Sequence, residues 1–526
     1  MRESGTKQER IAIPYFEGVN STVQQVIARR TELAHMENAR APIIGVLEKR
    51  EGQLVIGTDI GGTILKAIAN PGLVYFIDGG TLSQGLLRIT SLNGTTASIY
   101  YLNQSNEWVV LNNPLALNLS SATFDNVNVE GDLILVNGIN PNKMINGPIG
   151  VTVSMIDSTT PGSLYNSPRA NKVAFYKSRI YLADYFKSNG EELKTTILRS
   201  SYPMGIVSLL NGDVSASSGG LWTIPVVDVK YFYTDAGMNV YEIYRGNRKI
   251  ATITITSITE TNIVAPVGHV FFESGFSSFL SSDEIWVAGT YSGEKQYRWI
   301  SNSSSIGRDV KQYDTFKLVG GDEDAITLLE PIGNILLMAN KNAMMTWNDY
   351  VLENFDVGVG SCSKNGYVKL RGALYFLHYS GIYSTTGTTP QLLSRKVERY
   401  IKGATKAGLE SAAAGYKGLS VFFTIGDVTL YKNDGSFWKV LNDVCLEFNI
   451  ADQNWYVHTN VVATQFETYI QSSGAERLTM CSFVPSDNEI LGPEMITNGA
   501  FVGDTTGWEL GLGWAYGTNN VNFTAP

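Results

Sequence analysis

From Gln53 onward one phrase returns along the chain: a short run of β-branched, aromatic and aliphatic residues, a turn of Gly, Asn or Asp, then a second such run. LVIGT, GLVYFIDGG, TASIYYLN, EWVVLN, GDLILVNG and KVAFYKSRIYLADY are early instances, and KGLSVFFTIGDVTLYKNDGSFWKV and CLEFNIADQNWYVHT are late ones. Runs of this length bounded by turn residues are strands, and many of them in succession make a sandwich, barrel or propeller. Asn93 and Gly94, in ITSLNGTTASIYYL, have the turn chemistry that joins adjacent antiparallel strands. The fold expected is all-β and propeller-like. The spacing is irregular and no fixed-period repeat emerges, so the blade number stays open.

Composition supports this reading. Charged residues make up only 17%, below the usual share, beside 52 glycines and 11% aromatics, a mixture suited to sheet with many tight turns. The formal charge of −9 argues against a sequence-independent grip on DNA, which needs clustered Lys and Arg. An acidic wall would let a duplex slide past, and ordinary solubility explains the same charge. Cys362, Cys445 and Cys481 stand at long spacings that write neither a disulfide framework nor a metal site. The start, MRESGTKQER, has no apolar stretch behind it, and no run of apolar residues is long enough to span a bilayer, so no membrane anchor is expected.

Five segments follow. Residues 1–50 form an N-terminal arm, with a helix expected from Ser21 to Arg40; 51–233 are the first part of the propeller; 234–288 are an inserted small β domain around VYEIYRGNRKIATITITSITETNIV. Residues 289–485 are the second part of the propeller, and 486–526 open a new module.

Within Asp322 to Ile401, Gly372, Leu374, Tyr375, Phe376, Leu377, Gly381, Ile382 and Tyr383 spell G-x-L-Y-F-L-x-x-x-G-I-Y. Leu374 and Phe376 alternate with Tyr375 and Leu377, so both strand faces are apolar and the strand must lie between packed blades. This stretch resembles the consecutive closing blades of the tail hub and nozzle proteins of short-tailed bacteriophages. The segment Asn128 to Gly147, the strand pair from Lys172 that leads to Arg199, Ser200 and Ser201, and the arm around Asn38, Arg40 and Lys49 to Gly52 are similar to other parts of the same family.

The resemblance implies a structural component of the virion tail, assembled in the host bacterial cytoplasm as a homo-oligomer, a hexameric ring on the tail axis. It further implies portal or adaptor-side tail proteins and tail fibres or spikes as partners, with double-stranded DNA passing through the channel for genome retention and ejection without sequence-specific binding. The inserted domain and the residues after Pro485 have no counterpart in that pattern. The alternative is a glycan-binding or glycan-cleaving propeller for host-surface attachment.

Several motifs offer chemistry, each beside a plainer reading. Val55 to Ala69 is similar to the phosphate hairpin of actin-like sugar kinases through Asp59, Gly61, Gly62 and Thr63, but the α/β alternation that fold needs is missing downstream, and a first-blade hairpin is expected instead. Asp434, Gly435 and Trp438 resemble a sialidase aspartate box, itself a structural corner, and no paired carboxylates of a glycosidase accompany it. His35, His269, His378 and His458 are isolated from one another. Asp322, Glu323 and Asp324 offer oxygens to a calcium ion or make a solvated turn. Trp286, Tyr291, Tyr297 and Trp299 read as interface or core anchors before a sugar-stacking shelf. Asn498, Gly499, Phe501, Gly507, Trp508 and Trp514 resemble the opening strands of a jelly-roll carbohydrate-binding module. The chain is expected not to be an enzyme: no catalytic, cofactor-binding or metal-ligating residue is assigned.

Overall fold

In the computed structural model the described residues are 39–43, 46–49, 56–57, 60–69, 77–78, 81–82, 85–92, 96–111, 124–129, 131–146, 154–157, 164, 167–186, 190–200, 206–229, 231–234, 238–288, 299, 315–317, 324–348, 351–432, 434–470, 474–481, 514–517 and 520–523. Among these residues six four-stranded antiparallel sheets follow one another along the chain, which is a β-propeller. Blade 1 is Thr63–Ala69, Leu86–Ser91, Ser98–Leu102 and Trp108–Val110; blade 2 is Asp125–Val129, Asp132–Val136, Lys143–Asn146 and Ser154–Asp157. Blade 3 takes Ala170–Tyr176, Arg179–Phe186 and Glu192–Arg199, then Thr315–Lys317 as its fourth strand. Blade 4 is Leu328–Ile332, Ile335–Ala339, Ala343–Trp347 and Leu352–Val357; blade 5 is Tyr367–Leu370, Ala373–His378, Gly381–Thr385 and Gln391–Leu392. Blade 6 is Ala414–Lys417, Ser420–Tyr431, Phe437–Asn449 and Asn454–His458. A hairpin, Gln465–Ile470 with Glu476–Cys481, takes a seventh place.

The blades stack because their middle strands are apolar on both faces. In blade 2, Leu133 and Leu135 pack with Leu87, Ile89 and Ile99 of blade 1, whereas Ile134 and Val136 pack with Ile180 and Leu182 of blade 3. In blade 4, Leu336 and Met338 face blade 3, and Leu337 and Ala339 face blade 5. The alternation expected in blade 5 is present: Leu374 and Phe376 join the core shared with blade 4, and Tyr375 and Leu377 that shared with blade 6. Period-two side-chain placement therefore turns each central strand into the wall of two cores.

The ring closes through the seventh place. Phe466 and Met480 of the hairpin pack against Phe422 and Cys445 of blade 6, and Tyr469 packs against Leu86 and Leu102 of blade 1. The Gln465 amide locks the joint: its Nε2 donates to the Ala67 carbonyl at 2.8 Å, and its Oε1 accepts from the Ala67 N–H at 3.2 Å. These partners are 398 residues apart in the chain.

The inserted unit lies between the third and fourth strands of blade 3. Ile206–Leu209, Glu284–Val287, Val240–Arg245, Arg248–Thr254 and Val270–Phe272 make a five-stranded sheet, and Leu221–Pro225, Asn262–Pro266 and Ser257–Ile258 a three-stranded one. They enclose one core of Trp222, Ile224, Tyr241, Ile243, Ile253 and Phe279. The unit thus begins before Thr234, because strands as early as Ile206–Leu209 pair into it. Turn-rich residues between Asn211 and Gly220 hide that boundary in the sequence.

Of the arm, Ala39–Ile43 pairs with Val46–Lys49. The helix expected at Ser21 to Arg40 otherwise lies outside the described residues, and its last two positions are strand. The segment after Leu392 coils as Ser394–Val397, Glu398–Gly403 and Lys406–Glu410. Of residues 486–526, the hairpin Trp514–Gly517 with Asn520–Phe523 is described.

Replacing Gln465 by Ala strands the buried Ala67 N–H and C=O. The expected loss is about 2–4 kcal/mol of unfolding free energy, read as a lower urea midpoint; an unchanged midpoint would show that the amide does not lock the ring.

Candidate functional site

The first strands of blades 2 and 3, 3 and 4, and 5 and 6 lie side by side, and the first strand of the closing hairpin lies beside those of blades 6 and 1, so these strands line the propeller axis. Their polar side chains meet there. Lys172 of blade 3, only 3% exposed, reaches across the axis to blade 5, where its Nζ donates to the Lys364 carbonyl at 3.1 Å and to the Tyr367 hydroxyl at 3.3 Å. The same ammonium stands 3.8 Å from Asp125 of blade 2 and 5.1 Å from the centre of the Tyr367 ring. The second Asp125 oxygen accepts from the Val173 N–H at 3.0 Å, tying blade 2 to blade 3. Beside them, Lys369 stands 3.4 Å from Glu330 and donates to the Pro331 carbonyl at 2.7 Å.

Burial raises the Glu330 carboxyl above its ordinary range, against the pull of Lys369, yet 28% of its side chain remains accessible. Burial pushes Tyr367 well up, and burial followed by the Lys172 charge pushes the Lys364 ammonium down. On the closing hairpin, burial raises Glu467, opposed by Lys66 of blade 1; Glu467 also accepts from Gln465 at 2.7 Å. Charged groups from most of the ring therefore meet around the axis, where Lys369 and Glu330 keep access to water.

Asp184, fully buried, joins blade 3 to blade 4. Its carboxylate accepts from the Thr195 N–H at 2.8 Å and the Ile326 N–H at 2.6 Å. Burial lifts its pKa to about 6 in spite of both bonds.

The sequence candidates lie apart from this cluster. Asp59 is outside the described residues; Gly61 and Gly62 have positive φ and lead into the first strand of blade 1, and a Cβ at Gly62 would collide with the Ser91 carbonyl. Asp434 forms a turn, accepting from the Ser436 N–H at 2.8 Å and its hydroxyl at 2.6 Å. Asp324 accepts from Asn342 at 3.1 Å, and Asp322 and Glu323 are outside the described residues. Trp286 and Trp299 are buried, so neither offers a face to a sugar, and Trp299 is held by the Tyr233 hydroxyl at 2.8 Å. Tyr291 and Tyr297 are outside the described residues, as are Asn498, Gly499, Phe501, Gly507 and Trp508; Trp514 belongs to the terminal hairpin.

His35 is likewise outside. His269 lies in a 3₁₀ turn, His378 contacts the Ser380 hydroxyl at 2.7 Å in the blade 5 hairpin, and His458 meets Glu447 at 2.7 Å inside blade 6. This last pair has no signal in the sequence, because it forms between neighbouring strands. The three cysteines are free and buried, and burial pushes the Cys362 and Cys481 thiols up to about 12. Among the described residues no group of His, Cys, Asp and Glu is arranged to hold a metal, and no helix is long and apolar enough to cross a membrane. A pocket lined by Phe124, Leu135, Asn137, Asn140 and Lys143 has a volume of about 10 Å³, room for one water.

No family model and no curated protein matches the chain. Among solved structures it is similar to BamB from Moraxella catarrhalis, at 8% identity and a TM-score of 0.25 over 76% of this chain and 99% of that one. It is also similar to the computationally designed Ika8 protein, at 10% identity and a TM-score of 0.18 over 64% and 95%. An ancestral GH74 enzyme is similar at 11% identity and a TM-score of 0.19 over 75% and 66%.

Two outcomes follow. Lys172→Met leaves Asp125 without its ammonium and should cost about 3 kcal/mol; adding Asp125→Leu should recover part of that loss, and full tolerance of the single change would contradict the cluster's role. For Asp184, proton uptake stabilises the fold fully below pH 3.8, and this stabilisation is lost as pH rises through about 6. The stability of the wild type relative to Asp184→Asn should fall by roughly 2 kcal/mol between pH 4 and pH 7, measured by urea unfolding; a flat difference would contradict the assignment.

Proposed function

We propose that the chain is a structural component of a bacteriophage tail, a hub or nozzle subunit that forms a ring with copies of itself around the channel for the genome. The ion pairs across the propeller axis carry this reading. Small-molecule sites are concave and favour the mouths of barrels and similar openings, and here Lys172, Asp125, Tyr367, Glu330 and Lys369 occupy the corresponding space with one another. A propeller whose axial side chains are engaged with one another works through its outer surface. The channel in a ring of these blocks lies between subunits, where the acidic balance of the chain disfavours retention of phosphate.

The likeness of the Asp322 to Ile401 stretch to tail hub and nozzle proteins supports the same reading, since it falls on the successive blades 4 and 5 and runs into the helices that follow. Portal-side or adaptor-side proteins above and fibres or spikes below are the partners this placement calls for.

Light scattering and negative-stain microscopy of the purified chain, alone and with extract containing other tail proteins, test the proposal. The expected result is a ring of about six subunits with an axial hole, in line with closed cyclic assembly. A chain that stays monomeric under both conditions while binding glycans on an array would overturn it in favour of a surface-attachment role.

A further inference from the structure

Asparagine followed by glycine is prone to attack its own side chain, because the glycine nitrogen approaches the side-chain carbonyl carbon with no Cβ in the way. Three such pairs have both residues described: Asn137 with Gly138, Asn211 with Gly212, and Asn365 with Gly366. Two of them are held. In blade 2 the Gly138 N–H donates to the Ala170 carbonyl at 2.7 Å, and the buried Asn137 side chain accepts from the Ile139 and Asn140 N–H groups at 3.1 and 2.9 Å. At the start of blade 5 the Gly366 N–H donates to the Ser363 carbonyl at 3.4 Å, and the Asn365 amide donates to the Thr464 carbonyl at 3.0 Å. Bonds of this kind keep the proton on the nitrogen and stop the amide from turning. The related turn of Asp434 and Gly435 is held in the same way, by the Lys432 carbonyl on the Gly435 N–H and by Ser436 on the carboxylate.

Asn211 and Gly212 differ. They lie in the inserted unit, just beyond Ile206–Leu209, where the chain turns away from the bridge of Leu210 with Val226. Asn211 is exposed and Gly212 half-buried, and among the described residues neither the Asn211 side-chain amide nor the Gly212 N–H makes a hydrogen bond. The main chain is nonetheless fixed on both sides. The Asn211 N–H donates to the Pro225 carbonyl at 2.9 Å, and Val214 exchanges N–H···O bonds of 2.9 and 2.8 Å with Phe279. Asp213, between these anchors, accepts from the Ser281 N–H at 2.5 Å. The reacting groups are free while the segment that carries them is tethered.

We propose that Asn211 is a site of spontaneous deamidation, which converts it to aspartate and isoaspartate. The Gly212 nitrogen loses its proton to hydroxide and bonds to the Asn211 Cγ; the side-chain nitrogen leaves as ammonia, taking a proton from water, and a succinimide ring remains. Water then adds to one of the two ring carbonyl carbons. Opening at Cγ gives aspartate, and opening at the main-chain carbonyl carbon of residue 211 gives isoaspartate. Either product adds a negative charge beside Asp213. Isoaspartate also lengthens the main chain by one carbon between the Pro225 and Phe279 anchors, at the joint between the two sheets of the inserted unit. The inference is independent of the ring reading above.

Peptide mapping of the full-length chain by mass spectrometry, during incubation at mildly alkaline pH, tests it. In the folded chain residue 211 should gain ~1 Da at a rate at least ~10-fold above those at Asn137 and Asn365, which the fold protects. In urea that lead should be lost. Conversion at Asn211 no faster than at Asn365 in the folded chain, or the same lead kept in urea, overturns the proposal. Gly212→Ala should abolish the reaction at 211. Because an added Cβ there meets Pro225 at 3.2 Å, Asn211→Gln is the second variant, since the exposed side chain has no partner to lose. Its melting temperature should match the wild type, and its 211 peptide should keep its mass; a peptide that still gains ~1 Da would place the reaction at another residue and overturn the assignment.

Discussion

Burial of both faces of each central strand is the constraint on which the rest depends. A strand such as Asp132–Val136, with Leu133 and Leu135 on one side and Ile134 and Val136 on the other, cannot satisfy itself with a single partner sheet. At roughly 25 cal/mol per Å² of apolar area, leaving either face in water costs several kcal/mol per blade. A row of such sheets has two unsatisfied ends, and only closing the row removes both. The hairpin Gln465–Ile470 with Glu476–Cys481 does this, one side set against blade 6 and the other against blade 1.

Closure brings first strands from several blades together around the axis. Charges occupy it, and they are tolerated because each is answered. Lys172 faces Asp125 and Tyr367, Lys369 faces Glu330, and Lys66 opposes Glu467. Removing one member leaves another buried and uncompensated, so the cluster makes the relative placement of the blades specific. The same pairing engages the axial side chains with one another.

The fold was legible where a single strand carries its own evidence. Leu374, Tyr375, Phe376 and Leu377 announce two apolar faces, and the structure places a core on each. The limits of the inserted unit were less legible, because Ile206–Leu209 and Leu221–Pro225 look like any other strand and only long-range pairing assigns them. The axial cluster was not legible at all: Asp125, Lys172, Glu330 and Tyr367 are far apart in sequence and meet only once the ring closes. Trp286 and Trp299 could be counted but not placed, and burial removes them from any sugar shelf. At the turn between Ser420–Tyr431 and Phe437–Asn449 the likeness to an aspartate box drew attention to Asp434. The adjacent pair Phe437 and Trp438 breaks the alternation of a half-buried strand and leaves both aromatics in water.

A closed propeller whose axial side chains pair with one another is the center of the account, and electron cryo-microscopy of the assembled particle tests it most directly. The account predicts a ring whose lumen lies between subunits, with side-chain density from Lys172, Asp125 and Tyr367 meeting at the axis of each propeller. A particle with an open passage through the propellers themselves, or with a ligand or nucleic acid seated on their axes, would contradict it.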